Sequence, residues 1–220
     1  MTHPGTTLWS RGDAPKPGPR PAYTLDQLAE TCVRRADANG LRAVSMRGVA
    51  EDLGTAAASL YRYVDGKDDL IALMVDRVAA EYDYPELTGD VRADVLALAD
   101  QSRTLHHRHP WLGQARPASL GPNSFRYLDQ MAGALAPSGL GSTATMMGVA
   151  LLSGWVITFA AQESAGLAAA DLGGAVAPPP GDYPHLAALF ATPATDSALR
   201  DNDAVFHAGI EALLFGIVPG

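Results

Sequence analysis

The chain has 220 residues, of which 47% are hydrophobic and 18% charged, with a formal net charge of −8. That composition is globular rather than disordered, and the length suffices for a large core, as one domain or as a small domain joined to a larger one. The single cysteine, Cys32, excludes an internal disulfide, and it is expected as a small core hydrophobe.

Residues 1–22 hold five prolines and no apolar run, so no secretory signal is read there. No run of about 18 strongly apolar residues suggests a membrane span, and a cytoplasmic location is expected. The charge divides unevenly. Residues 1–67 carry nine Lys/Arg against seven Asp/Glu, and residues 68–220 carry seven against seventeen. A mildly basic head on an acidic body suits a protein that meets phosphates with one end only.

Residues 1–22 read as a flexible arm. Pro15, Pro17, Pro19 and Pro21 oppose helix, while Lys16 and Arg20 supply charge for phosphates or an adjacent minor groove if the arm is more than a bare terminus. Thr24 and Gln27 are spaced as a capping box, with Tyr23 and Leu28 as a hydrophobic staple. Leu25, Leu28, Ala29, Cys32 and Ala36 form the buried stripe of the helix that follows, which Gly40 closes. Met46, Val49, Ala50 and Leu53 make the stripe of a second, two-turn helix, with Ser45 as N-cap and Gly54 as stop. A third helix is expected over about 56–62, with Leu60 inward and Ala57, Ser59, Tyr61 and Arg62 outward. Two short helices around a tight Gly-containing turn make a helix-turn-helix, whose second helix fits a DNA major groove.

With its flanks, this stretch resembles the DNA-binding domain of the tetracycline-repressor (TetR) family. The matching residues are Asp37-Ala38-Asn39-Gly40-Leu41, Met46-Arg47-Gly48-Val49-Ala50, Leu53-Gly54, Ser59-Leu60-Tyr61-Arg62-Tyr63 and Lys67-Asp68-Asp69-Leu70, in register over 24–75. The resemblance implies DNA contacts at Ala57, Ser59, Tyr61, Arg62 and Tyr63. Arg62 is suited to bidentate readout of guanine, and an alanine only to apolar contact. Arg47, Tyr61, Tyr63 and Lys67 suit phosphates, although Tyr61 could instead pack on the first helix. Family members often carry Ser or Thr where this chain has Ala56, so this helix either lacks its usual cap or takes Thr55 as a substitute, and Thr55 completes the DNA-binding set.

Further helices are expected over 67–82, 90–109, 123–135, 142–165, 183–190 and 203–216, with a mobile loop at 173–181. No β-alternation appears, so the fold is expected to be all-α. An arm (1–22), a helix-turn-helix domain (23–68) and a helical regulatory and dimerisation domain (69–220) would follow one another. The second half resembles the regulatory domain of actinobacterial-type members of the family, on His109-Pro110-Trp111-Leu112, Leu120-Gly121-Pro122-Asn123 and Tyr183-Pro184-His185. In the family the long helix, here 142–165, and the last helix pair with their copies in a second subunit. The resemblance therefore implies a homodimer on a palindromic double-stranded DNA operator.

His106, His107 and His109 invite a metal reading, but imidazoles at a helix C-terminus more often offset the dipole. Where tetracycline-sensing relatives place a metal-binding His before Leu-Gly, this chain has Trp111 before Leu112-Gly113; no metal and no cofactor are expected. Trp111, Phe125, Met131, Trp155 and Phe159 could line an apolar cavity for a small-molecule effector, with Arg116 or Glu163 as polar orienters, or could simply fill a core. No Gly-rich phosphate loop, nucleophile elbow or His-Glu-x-x-His occurs, so no catalytic residues and no enzyme are expected. The function implied is a ligand-responsive transcriptional regulator, most naturally a repressor. The alternative is a helical small-molecule-binding or enzymatic protein in which the helix-turn-helix is only scaffold.

Overall fold

The computed structural model describes residues 8–9, 22–166, 183–191 and 201–218, and among them every regular element is helical, with no strand. Helix α1 (Leu25–Asn39) starts with the capping box: Gln27 N–H donates to Thr24 Oγ1 at 3.1 Å, and Thr24 N–H to Gln27 Oε1 at 2.9 Å. Gly40 ends it at φ 77°. In α2 (Met46–Asp52) Ser45 Oγ accepts from Gly48 N–H at 3.1 Å. Gly54, at φ 66°, makes the turn into α3 (Ala57–Leu60). That helix is one turn, ending two residues sooner than expected, because residues 61–63 already turn back toward α1.

Helix α4 (Lys67–Ala79) stops three residues short of the expected end. Then come α5 (Val91–Arg108), capped by Asp90 and followed by a 3₁₀ turn at Pro110–Gln114, α6 (Pro122–Leu135) and α7 (Ser142–Ser164). Helices α8 (Pro184–Ala191) and α9 (Asn202–Ile217) complete the described chain, the latter capped by Asp201. The loop expected at 173–181 lies outside the described residues.

Apolar side chains gather in two cores. The first joins α1, α2 and α3 to α4 through Leu28, Cys32, Val49, Leu60, Leu70 and Met74, and it also takes in Leu105, Trp111 and Ala115 from the body. The second, built from Leu98, Met131, Leu135, Leu152, Phe159 and Phe206 among others, lies between α5, α6, α7 and α9. By packing, α4 therefore belongs with the head, and a boundary at 68/69 would cut its first turn.

Residues 8 and 9 depart from the expected flexible arm. Leu8 is 1% exposed within the first core, and Trp9 Nε1–H donates to Ser119 Oγ at 3.2 Å. Hydrophobic burial of a leucine and an indole outweighs the freedom of an arm at that point; residues 1–7 and 10–21 lie outside the described chain.

Helix α6 begins after Gly121, which has no side chain with which to cap it. Asp76 of α4 supplies the cap from outside: Ser124 N–H donates to its Oδ1 at 2.8 Å and Asn123 Nδ2–H to its Oδ2 at 3.0 Å. A Cβ on Gly121 would lie closer than 3.0 Å to both the Asp76 carboxylate and the Trp9 ring.

Helix α7 is apolar on all sides, with an 18-residue window of mean hydropathy 1.7, of which only 33% is buried in the single chain. By length and composition alone it could cross a membrane. One side (Val149, Leu152, Val156, Phe159) fills the second core, whereas Met146, Met147 and Leu151 face outward. Phe215 on α9 is 90% exposed.

Candidate nucleic-acid interface and effector region

The head is held rigid by polar links between its helices. Tyr23 Oη–H donates to Leu53 O at 2.8 Å, and Tyr63 Oη accepts from Tyr23 N–H at 3.2 Å with the two rings edge to face. Arg35 of α1 donates to Ala43 O, Gly48 O and Asp52 Oδ1 at 2.8–3.0 Å. Its guanidinium lies against Gly48 so closely that no Cβ would fit there without displacing it. Sequence reasoning missed Arg35; the signal available was a glycine inside the two-turn helix, which marks a close approach.

On this frame the face formed by α3 and its flanks exposes Ala56, Ala58, Tyr61 and Arg62, with Arg47 at the start of α2 and Lys67 at the start of α4 also exposed. Tyr61 is 57% exposed and thus does not pack on α1. Ser59 is half-buried. Ala57, expected to point outward, is half-buried against the head core, because the one-turn helix turns Ala56 and Ala58 to solvent instead. Thr55 is half-buried and makes no side-chain cap; its backbone N–H donates to Ala50 O at 2.9 Å. The half-buried Tyr63 ties the turn to α1. The arrangement offers two guanidinium groups, an ammonium and a phenol around a short helix of small residues, a surface suited to phosphates and base edges.

The seven residues expected to line an effector cavity lie in different surroundings. Trp111 is 2% exposed in the first core, its Nε1–H donating to Asp37 Oδ1 at 2.7 Å. Arg116 is exposed and donates to its own turn at Gly113 O and Ala115 O. Phe125 is 59% exposed on α6, while Met131 is 1% exposed in the second core. Trp155 donates to Phe206 O at 3.1 Å and, like Phe206, stacks on Phe159.

Glu163 joins α5, α7 and α9 as an ion-pair centre rather than a lone orienter. It accepts from Arg103 at 2.5 and 2.8 Å and from Asn202 at 3.2 Å, and pairs with His107 Nε2 at 2.8 Å. Burial pushes its carboxyl upward, but the hydrogen bonds from Arg103 and His107 outweigh that and hold it below the usual glutamate value. Arg103 also lies over the Phe159 and Phe206 rings, at 5.4 and 4.8 Å from their centroids.

A cavity of about 270 Å³ lies instead at the seam of head and body, lined by Trp9, Leu25, Ala29, Leu73, Asp76 and Asn123 among others. The three histidines turn to different partners: His106 to Ser102 O, His107 to Glu163 and His109 to Asp37, each at 2.8 Å. Among the described residues no group of three His, Cys, Asp or Glu side chains is arranged to hold a metal ion.

These features define a helix-turn-helix head on a helical body. The model of the bacterial regulatory proteins of the tetR family matches residues 33–74, and that of the tetracyclin repressor-like C-terminal domain matches residues 83–219. The chain belongs to the TetR family.

The HTH-type transcriptional repressor DrrR1 of Streptomyces coeruleorubidus is 41% identical over 155 residues, covering 68% of this chain and 57% of that protein. An HTH-type transcriptional regulator of Saccharopolyspora erythraea is 34% identical over 149 residues, covering 66% and 63%. The chain thus spans about three-fifths of the length of these curated relatives. Among solved structures, the Streptomyces coelicolor TetR family protein ActR in complex with (S)-DNPA superposes with a TM-score of 0.74 at 31% identity, over 89% of this chain and 96% of that one. ActR has also been crystallised with actinorhodin.

Proposed function

We propose that the chain is a cytoplasmic, homodimeric transcriptional repressor that leaves a palindromic DNA operator when its body takes up a small-molecule effector. The observation that carries this reading is the exposed set Arg47, Tyr61, Arg62 and Lys67 around a braced helix-turn-helix. Ala56, Ala58 and Ser59 leave Arg62 as the main base reader, and Tyr63 and Thr55 support the helix from behind. One such helix reads few base pairs, so two copies about 34–36 Å apart are needed in successive major grooves. The outward apolar residues of α7 and α9, Met146, Met147, Leu151 and Phe215, supply a face for that pairing.

DrrR1 is named a repressor and ActR is seen with bound small molecules, which supports repression and an effector for this chain also. An effector that binds better to a differently spaced pair of heads shifts the population off DNA. The chemistry that the exposed residues around the helix-turn-helix offer is recognition of phosphates and base edges.

The test is a gel shift on the DNA flanking the chain's own gene and on fragments selected from its whole genome, with competitor present and salt varied. A discrete, competitor-resistant complex that weakens steeply with salt is expected. A folded protein that selects no fragment would overturn the reading in favour of a helix-turn-helix used as scaffold.

A further inference from the structure

The last turns of α5 connect the two halves of the molecule. Toward the body, Arg103 and His107 hold Glu163 of α7, and Arg103 also donates to Asp203 of α9 at 2.7 Å. Toward the head, Arg108 donates to Glu81 Oε2 at 2.8 Å, beyond the end of α4. Immediately after α5, His109 Nδ1 and Trp111 Nε1 converge on one oxygen, Asp37 Oδ1, at 2.8 and 2.7 Å. Asp37 lies in the last turn of α1, at the far end of that helix from Tyr23 and its link to Tyr63.

The geometry points to the Asp37–His109–Trp111 cluster as the latch that sets the angle of the DNA-reading head on the body, which makes these three its positioning residues. His109 and Trp111 are 4% and 2% exposed, so withdrawal of Asp37 leaves two buried donors without their acceptor. Such a contact is either made or broken, and this gives the head two discrete positions rather than a continuous swing. Another polar link across the seam, Asp76 of α4 to the start of α6, lies on a different element and serves as the pivot. A body-side change at Glu163 reaches the latch through a turn and a half of α5. The consequence for operator binding rests on the function proposed above; the test does not.

The full chain is spin-labelled at Ala58→Cys on the head and Asp129→Cys on the body, both exposed, and diluted into excess unlabelled chain so that distances within one chain are read. Cys32 stays silent, being fully buried with its thiol pushed by that burial to about 12. A second pair, Ala93→Cys with Asp129→Cys, reports on the body alone. Asp37→Leu and Trp111→Phe are expected to shift and broaden the head–body distance distribution while the body pair stays unchanged. Asp37→Asn, which keeps an oxygen acceptor, is expected to restore it. A folded Asp37→Leu with the parent distribution would overturn the proposal, and so would equal broadening of the body pair. Should Asp37→Leu fail to fold, Trp111→Phe decides by the same criteria, since it removes one donor and keeps most of the packing.

Discussion

Asp76 shows how a single side chain serves two elements. It sits in the buried face of α4, and its carboxylate completes the start of α6, whose own preceding residue, Gly121, is bare. Gly121→Ala forces either that carboxylate or the Trp9 ring aside, and a loss of about 1–3 kcal/mol is expected in urea unfolding. Arg62→Ala acts on a different quantity: the fold is expected to keep its stability, while affinity for a selected operator falls by about 1–3 kcal/mol in a titration. The residues whose roles were legible in the sequence are those with local partners. Thr24 with Gln27, Ser45 with Gly48 and the turn at Gly54 follow from spacings of a few positions. The partners of Trp111, Glu163 and Arg103 lie 39 or more positions away, beyond the reach of any periodicity, so the sequence shows none of these links.

At the level of the helix, starts are legible with or without a side-chain cap, since the uncapped α4 and α7 also begin where the sequence places them. Capped helices α1, α2, α5 and α9 likewise begin within about a residue of their expected starts. Helix α3 differs at its other end, where residues 61–63 form a turn, so it spans one turn and its facing shifts from Ala57 to Ala56 and Ala58. Helix α7 raises the opposite question. Its apolar residues run all the way round, which periodicity reads only as a helix without a solvent side. The second copy proposed above would cover its outer face and account for the composition. Phe215→Glu, at a position that touches little within one chain, is therefore expected to leave the circular dichroism spectrum unchanged and to convert dimer to monomer in sedimentation velocity.

The whole molecule divides by packing, not by sequence similarity, since α4 and three body residues close the core of the head. The two-part architecture and the all-α class were legible in the spacing of glycines, prolines and apolar stripes. The seam was not, because its residues come from 8–9, 25–37, 73–81 and 109–124, and each stretch taken alone looks like ordinary helix or loop. The ion-pair centre should contribute to the response to acid. The folded carboxyl of Glu163 titrates below its unfolded value of about 4.5, so the stability it contributes is complete above that pH and is lost as pH falls through the folded value. Glu163→Gln is expected to flatten this part of the pH dependence in thermal unfolding followed between pH 6 and about 3, in the range where carboxylates titrate.

The participation of Leu105, Trp111 and Ala115 in the head's core bears on how the protein is made. A nascent chain that has just delivered its helix-turn-helix from the ribosome still lacks the side chains that close this core, so stable folding of the reading head waits until residue 115 has emerged. Translation that terminates early, within α5, would then release a fragment carrying every candidate DNA-contacting residue in a head unable to hold them in place. Premature products of this kind would be cleared as unfolded chains before they competed with the full chain for the DNA binding proposed above.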